Sequence, residues 1–320
     1  MSGKFQLIYG CLLGGAYGDS LGAAVEFYSS SEIFHRYGTD GITRCDKAFN
    51  QKAGVVTDDT QMAIATIQGL LKLNTKDNKI DSVWKEYLKW YEKQNKNPSE
   101  QRAPGNTCMS ALSSGKCGTI NAPPNKSSGC GAIMRAHPIG LMYSYEEAFE
   151  MGKNIGLITH GHPNGYIPAG VQAALIALLI SGKSLHTAIT IVLRLISTIK
   201  QAEGTKTAIL RALKAEKRGN HSEIIDTVVG DCEGGFLGHN ALSIALYSLL
   251  CAPEDAIKAV QIAVNHSGDS DSTGSIAGAL AGAMHGHTPF TKKIETEGIE
   301  LEKQDLIYKL SEKIYKLTVQ

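Results

Sequence analysis

The chain has 320 residues, of which 42% are hydrophobic and 20% charged, and this balance is typical of a globular protein and excludes a disordered or fibrous chain. Its 32 basic and 31 acidic side chains leave a formal net charge of +1, so no overall field attracts nucleic acid or an anionic membrane. Its seven cysteines form no CxxC pair, which argues against a disulfide framework and predicts a reducing, cytoplasmic location.

Apolar residues at intervals of three and four predict helices along most of the chain, whereas the alternation typical of strands is hard to find. The N-terminal run Phe5–Ala16 has the hydropathy of a signal peptide, but Gly14, Gly15 and Asp19 break that pattern. We therefore interpret this run as a buried helix. The further predicted helices are Thr60–Leu73, Ser82–Gln94, Gly165–Gly182, Thr187–Lys200, Asn240–Ala252 and Asp305–Leu317.

Glycine- and proline-rich loops separate these helices, notably Arg102–Gly105 and Ser113–Gly131. No long polar, low-complexity tract divides the chain, so we predict one compact all-α domain over residues 1–320. The isoleucine- and valine-rich segment Thr187–Lys200 is compatible with a strand as well as with a helix. The longest apolar run after the N-terminal one, Val171–Ile180, is half the ~20 residues needed to span a bilayer, so we expect no membrane partner.

Acidic and hydroxyl side chains crowd the predicted starts of two helices that lie far apart in the chain, the second of them beginning near Ser272. A single residue of this kind suffices to cap a helix, and either cluster alone is more often a cap than a metal site. Four carboxylates in one cleft would repel one another without a cation, and an all-oxygen ligand set selects Mg²⁺, Mn²⁺ or Ca²⁺. The two clusters are Thr57, Asp58, Asp59 and Thr60 in VTDDTQM, and Asp269, Asp271, Ser272 and Thr273 in GDSDSTG.

Further motifs stand before and between the two clusters. They are GCLLGGAYGDSLGAAVEF (Gly10–Phe27), RAPG (Arg102–Gly105), SSGCGAIMRAHPIG (Ser127–Gly140), THGHPNGY (Thr159–Tyr166) and GFLGHNALSIALY (Gly235–Tyr247). In this order the chain resembles the ADP-ribosylglycohydrolase family over nearly its whole length. The RAPG and SSGCGAIMRA segments favour the branch that contains the ADP-ribosylarginine hydrolases and the dinitrogenase reductase-activating glycohydrolases.

The resemblance implies an all-helical orthogonal domain with two divalent cations, Mg²⁺ or Mn²⁺, in a cleft. It also implies hydrolysis of the N-glycosidic bond between ADP-ribose and a protein arginine, with ADP-ribosylated protein and free ADP-ribose as partners. Such cleavage passes through an oxocarbenium-like state and needs an activated water, for which either Asp58 or Asp59 is a candidate proton acceptor. The implied metal ligands are Thr57, Asp58, Asp59, Asp269, Asp271 and Ser272.

The resemblance assigns roles outside the acidic clusters as well. Glu26 matches a position on a mobile loop that guards the metal centre, so it either senses the site or assists proton transfer as a catalytic residue, or it is a solvated loop acid. We expect Asp19 after the first helix, capping the next helix or supporting the metal ligands. The glycines of SSGCG allow backbone N–H groups to approach a phosphate, particularly if a helix begins at Ala132. The implied substrate contacts are Ser128, Gly129, Gly131, Met134, His160, Tyr166 and Phe236.

Several of these residues have a purely structural alternative. Arg135 is either a salt-bridged helix residue or a phosphate contact, and Tyr166 and Phe236 are either core residues or neighbours of the adenine or ribose. His162 is more simply a turn histidine than part of a zinc site. Two other functions stay open. One is an immunity-type protein that binds an ADP-ribosyltransferase toxin, and the other is a hydrolase of serine-linked or polymeric ADP-ribose.

Overall fold

The computed structural model describes residues 3–72 and 79–319, and the regular structure within these ranges is helical. The predicted all-α fold is therefore confirmed. Leu73, the last residue of the predicted helix Thr60–Leu73, lies outside the described residues. The helices are α1 Gly3–Gly22, α2 Ser30–Tyr37, α3 Asp58–Leu70, α4 Lys79–Lys96, α5 Asn106–Ser113, α6 Tyr145–Leu157, α7 Pro163–Ile180, α8 Leu185–Ile196, α9 Glu203–Lys214, α10 His221–Ile224, α11 Gly238–Cys251, α12 Ala256–Val264, α13 Ser270–His285, α14 Thr288–Glu297 and α15 Gln304–Thr318.

Helices α1 and α13 pack against each other along glycine-lined faces. A methyl group on Gly18 would lie 2.0 Å from the carbonyl oxygen of Gly274, and one on Gly22 would lie 2.2 Å from that of Ser270. Real Cβ atoms do not approach this closely, so the two backbones could not keep their separation with larger residues. Because the end of α1 contacts the start of α13, this packing also fixes the position of the second acidic cluster.

Helix α7 lies in the core and packs against α6, α11 and α13. By length and composition alone α7 is apolar enough to cross a membrane, and it is the one such helix in residues 3–72 and 79–319. However, 78% of its stretch Pro163–Ile180 is buried inside the fold. It is longer than the apolar run Val171–Ile180 because it begins at Pro163, whose ring suits the first turn of a helix. The segment Thr187–Lys200 is also helical, as α8, and buries one apolar face.

One condition was not met, and one local prediction was wrong. No α-helix begins at Ala132; a 3₁₀ turn spans Cys130–Ala132 and another spans His137–Leu141. Asp19 lies inside α1 instead of after it, because tight packing on α13 keeps the glycine-rich end of α1 helical despite its weak helix propensity.

Candidate active site

The starts of α3 and α13 meet at a cavity of about 180 Å³, here called the acidic cavity. Asp58 and Asp59 from α3 line it together with Asp269, Asp271 and Ser272 from the start of α13. The hydroxyl of Ser272 donates to Oδ1 of Asp59 at 3.4 Å, which links the two helix entrances directly. The structure therefore brings together two acidic clusters separated by about 200 residues of chain.

The start of α3 is held by the carboxylate of Asp19. This carboxylate accepts hydrogen bonds from the backbone N–H groups of Thr57, at 3.0 Å, and Thr60, at 3.1 Å. Thr57 is fully buried and does not line the cavity; its hydroxyl caps α3 by accepting from the N–H of Asp59 at 3.2 Å. Asp19 thus supports the acidic cavity without lining it. This agrees with one of the two predicted alternatives, the support of the acidic residues.

The start of α13 is held in a comparable way. Asp269 is the N-cap residue and accepts from the N–H of Ser272 at 3.3 Å, while Oδ1 of Asp271 accepts from the same N–H at 2.8 Å. The thiol of Cys130 donates to Oδ2 of Asp269 at 2.8 Å. Both oxygens of Asp269 therefore accept a hydrogen bond within the protein, and Asp269 and Asp271 both line the acidic cavity.

Two residues that the sequence reasoning missed take part in this arrangement. The N–H of Gly105 donates to Oδ2 of Asp58 at 3.2 Å, and Cys130 contacts Asp269 as described. Both stand inside motifs that were recognised, RAPG and SSGCG. The local pattern of those motifs carried no sign that a backbone N–H and a thiol would face the acids.

Glu26 adds a fifth carboxylate to the wall of the acidic cavity. Burial, followed by the charges of Asp269 and Asp58, raises the pKa of Glu26 to about 9. Burial likewise raises the pKa of Asp58 to about 8; the bond from the N–H of Gly105 opposes this rise, and the charges of Asp19 and Asp269 add to it. An acid on a solvated loop would not be partly buried beside other carboxylates. The structure therefore favours Glu26 as a residue of the acidic cavity over Glu26 as a solvated loop acid.

Burial and the neighbouring acids also raise the pKa values of Asp59 and Asp271 well above the usual range for aspartate. Oδ2 of Asp59 is buried and has no hydrogen-bond partner. Carboxylates with elevated pKa values and an unpartnered oxygen gain from a positive charge, and an all-oxygen donor set suits a hard divalent cation. The charge and the donor atoms of these residues therefore fit the expected divalent metal. Within residues 3–72 and 79–319, however, no three His, Cys, Asp or Glu side chains lie close enough together to hold a metal ion as they stand.

The glycine-rich loop forms another wall of the acidic cavity through Gly129 and Gly131. A methyl group on Gly131 would lie 2.9 Å from Cε1 of His160 and 3.0 Å from Sγ of Cys108, so only glycine lets the loop lie against these side chains. Two of its N–H groups are already used inside the protein. That of Gly129 donates to the hydroxyl of Ser127, and that of Cys130 donates to the carbonyl of Phe236.

The remaining loop residues divide between the cavity and the scaffold. Met134 lines the cavity, with its sulfur 3.9 Å from the hydroxyl of Ser272. Ser128 does not line it, and its carbonyl accepts from the N–H of Gly238 at 2.9 Å. Arg135 is fully buried, donates to the carbonyl of Gly131 and the hydroxyl of Thr159, both at 2.6 Å, and stacks on a tyrosine ring. Arg135 therefore braces the loop from behind.

Of the aromatic and histidine residues considered in the sequence analysis, two line the acidic cavity and two do not. His160 lines the cavity, and burial together with the charge of Arg135 lowers the pKa of its imidazole to about 3, so the ring is neutral. His162 caps α7 by accepting from a backbone N–H, as expected for a turn histidine. Tyr166 is buried in α7 away from the cavity lining, whereas Phe236 lines it and keeps 40% of its surface exposed.

The model of the family described as ADP-ribosylglycohydrolase matches residues 2–320. The chain belongs to the ADP-ribosylglycohydrolase family. It is a glycohydrolase of this family, in agreement with the motif order described above.

Curated relatives agree with this membership over most of their lengths. The chain is 27% identical over 283 residues to the ADP-ribosyl-[dinitrogen reductase] glycohydrolase of Rhodospirillum rubrum, covering 87% of this chain and 85% of that protein. It is 26% identical to human ADP-ribosylhydrolase ARH3, covering 91% and 89%. A solved structure described as an ADP-ribosylglycohydrolase-related protein complex aligns with a TM-score of 0.73 at 20% identity, over 98% of this chain and 99% of that one, and supports the fold.

Proposed function

We propose that this glycohydrolase cleaves the N-glycosidic bond between ADP-ribose and a protein arginine side chain, reversing mono-ADP-ribosylation. The observation that supports this proposal is the meeting of two acidic helix entrances beside a glycine-lined wall. Similarity to a relative whose name specifies ADP-ribosyl-[dinitrogen reductase] supports the protein linkage. A cytoplasmic location is part of the same proposal.

Asp58, Asp59, Asp269, Asp271 and Ser272 are the residues that would hold divalent cations, which we propose to be two in number and Mg²⁺ or Mn²⁺. Bound there, the cations would supply Lewis acidity and neutralise the repulsion among the carboxylates. The Thr57 hydroxyl oxygen caps α3 by accepting from the N–H of Asp59 and keeps a second lone pair, with which we propose that it completes the ligand set.

In the proposed reaction, water adds to the anomeric carbon of the ribose, the bond from that carbon to the guanidine nitrogen breaks, and the leaving guanidine takes up a proton. Asp58 or Asp59 accepts the proton from water. Glu26, which lines the acidic cavity beside these acids, is our candidate to donate one to the leaving group. Gly129, Gly131 and Met134 form the wall against which the rest of ADP-ribose would lie, next to the neutral His160.

The experiment that tests the proposal compares arginine-linked, serine-linked and polymeric ADP-ribose as substrates, each with and without Mg²⁺ or Mn²⁺. Release from the arginine-linked substrate alone supports it. Release from the serine-linked or polymeric substrates would show a different linkage specificity. Absence of release from all three, together with tight binding to an ADP-ribosyltransferase toxin, would favour the immunity-type alternative.

Free ADP-ribose should also bind as a product and inhibit competitively. Gly131→Val should weaken this binding roughly 5- to 150-fold, the equivalent of ~1–3 kcal/mol, because the new side chain crowds the cavity wall. Since the side chain would also meet His160 and Cys108, the variant needs a circular dichroism control. Unaltered ADP-ribose affinity in the folded variant would make this loop a structural connection only.

A further inference from the structure

A second cavity, of about 570 Å³, adjoins the acidic cavity and shares Phe236 as a wall. We call it the phenylalanine cavity. Phe27, which follows the acidic-cavity residue Glu26 in the chain, also lines it. The phenylalanine cavity therefore opens on the Glu26 side of the acidic cavity, where the proposed function places the leaving arginine.

The two phenylalanine rings form an exposed pair. Their centroids are 5.9 Å apart and their planes differ by 12°, yet 65% of the surface of Phe27 and 40% of that of Phe236 remain exposed. Phe27 has a φ of 66°, a left-handed conformation that is costly for a bulky side chain. Its N–H donates to the carbonyl of Gly268 at 2.9 Å, and the N–H of Gly268 donates to the carbonyl of Tyr28 at 3.2 Å. This pairing holds the Phe27 ring at the surface of the cavity.

Three carboxylates line the same cavity, on Glu32, Asp226 and Glu233, and no lysine or arginine is among its lining residues. Asp226 is fixed by accepting from the N–H of Ser267 at 2.9 Å and from its hydroxyl at 2.8 Å. Glu32 takes part in the capping box of α2 and Glu233 is exposed. The cavity thus combines open aromatic faces with three carboxylates and no lysine or arginine in its lining, which matches a guanidinium or ammonium group.

We propose that the phenylalanine cavity binds a basic residue, arginine or lysine, that flanks the modified arginine in the substrate protein. This inference rests on the proposed function. A guanidinium can stack on the phenylalanine pair while its N–H groups face the carboxylates, whereas the anionic diphosphate of ADP-ribose is repelled by the same carboxylates. The acidic cavity then receives the ADP-ribose, and the phenylalanine cavity receives the polypeptide.

The test uses two peptides that each carry one ADP-ribosylated arginine and differ only in whether the flanking positions hold arginine or glutamine. The protein with Mn²⁺ should hydrolyse the basic peptide with a kcat/KM roughly 3- to 10-fold above that of the neutral one, the size expected for one exposed cation–π contact with an ion pair. The difference should be in KM and should shrink as salt rises, since exposed charges are screened.

Phe27→Ala and Glu233→Gln should each reduce this preference toward unity while leaving kcat on free ADP-ribosylarginine unchanged. Glu254→Gln, which removes an exposed acid outside the cavity, should keep the full preference and is the matched control. Calorimetry with the unmodified basic peptide should show the same loss of affinity in the two cavity variants.

The outcomes distinguish the two proposals. Equal kcat/KM for both peptides, or a preference that survives Phe27→Ala and Glu233→Gln in folded protein, would overturn the flanking-residue inference and leave arginine specificity intact. Failure of the wild-type protein to release ADP-ribose from either peptide or from free ADP-ribosylarginine would overturn the proposed function, and the inference with it.

Discussion

Oδ2 of Asp269 accepts a hydrogen bond from the thiol of Cys130 at 2.8 Å. The bond joins the glycine-rich loop to the start of α13, so the loop proposed to contact ADP-ribose and a carboxylate proposed to hold a cation are coupled through one sulfur atom. Cys130 therefore positions Asp269 without itself needing to contact the reacting atoms.

Cys130→Ala should weaken Mn²⁺ binding by roughly 2- to 12-fold, the equivalent of ~0.5–1.5 kcal/mol, because Asp269 loses a hydrogen-bond donor that orients it. Cys130→Ser keeps a donor at this position and should recover much of the affinity. Calorimetric Mn²⁺ titration measures both. Wild-type Mn²⁺ affinity in the alanine variant would show that the thiol has no orienting role.

Asp19 should contribute strongly to the stability of the fold. Asp19→Ala removes the acceptor for the N–H groups of Thr57 and Thr60 in a fully buried position, and should lower the free energy of unfolding by ~1–3 kcal/mol. Urea denaturation measures the change. Asp40→Ala, at an exposed position, is the control and should have little effect. Equal stability of the two variants would argue against the support assigned to Asp19.

The glycine contact between α1 and α13 predicts an unusually severe effect of a single methyl group. Gly18→Ala places that group 2.0 Å from the carbonyl oxygen of Gly274 and should destabilise the fold by ~1–3 kcal/mol or more through overpacking. Gly3→Ala, also in α1 but with nothing within 4 Å, should be tolerated. The melting temperatures of the two variants and the wild type measure these effects. An undiminished melting temperature for Gly18→Ala would contradict the close contact.

His137 should make stability depend on pH. Burial lowers the pKa of its imidazole from 6.5 to about 4, so the unfolded chain binds more protons than the native one between these values. Its neutral form therefore favours folding above pH 6.5, and this contribution is lost as pH falls toward 4. Between pH 7.5 and 4.5 the loss should amount to ~2–3 kcal/mol.

His137→Leu should remove this contribution, so its free energy of unfolding should fall less than that of the wild type over the same pH interval. Denaturant titrations at pH 7.5 and 4.5 measure both differences. Identical pH dependence of the free energy of unfolding in the two proteins would contradict the lowered pKa, because it would mean that His137 takes up its proton equally well in the native and the unfolded protein.

Sequence patterns predicted the helices that position the acids. The apolar spacing after Asp59 predicted α3, and the small residues after Ser272 predicted α13, because both helices carry their capping residues and packing faces in local sequence. That the two starts would share one cavity followed only from repulsion chemistry and the family resemblance, since no local pattern encodes a contact over about 200 residues.

Other features depended on tertiary packing. Glycine weakens a helix in isolation, so the motif around Gly14 and Gly18 gave no reason to extend α1 past Asp19, although the four-residue spacing of its glycines was a signal of close helix contact. The turn Cys130–Ala132 is held by tertiary contacts, since the N–H of Cys130 donates to the carbonyl of Phe236 and Gly131 lies against His160. Helical periodicity does not report either constraint.

The most direct test of the proposed catalytic centre compares wild-type protein with Asp58→Asn and Asp271→Asn for ADP-ribose release from an arginine-linked substrate, alongside the melting-temperature shift caused by Mn²⁺. Each variant should lose activity by ~100-fold or more and lose the Mn²⁺-induced shift, while circular dichroism shows intact helices. Near-normal release with an unchanged Mn²⁺-induced shift in either variant would contradict the proposal that these acids hold the cations required for hydrolysis.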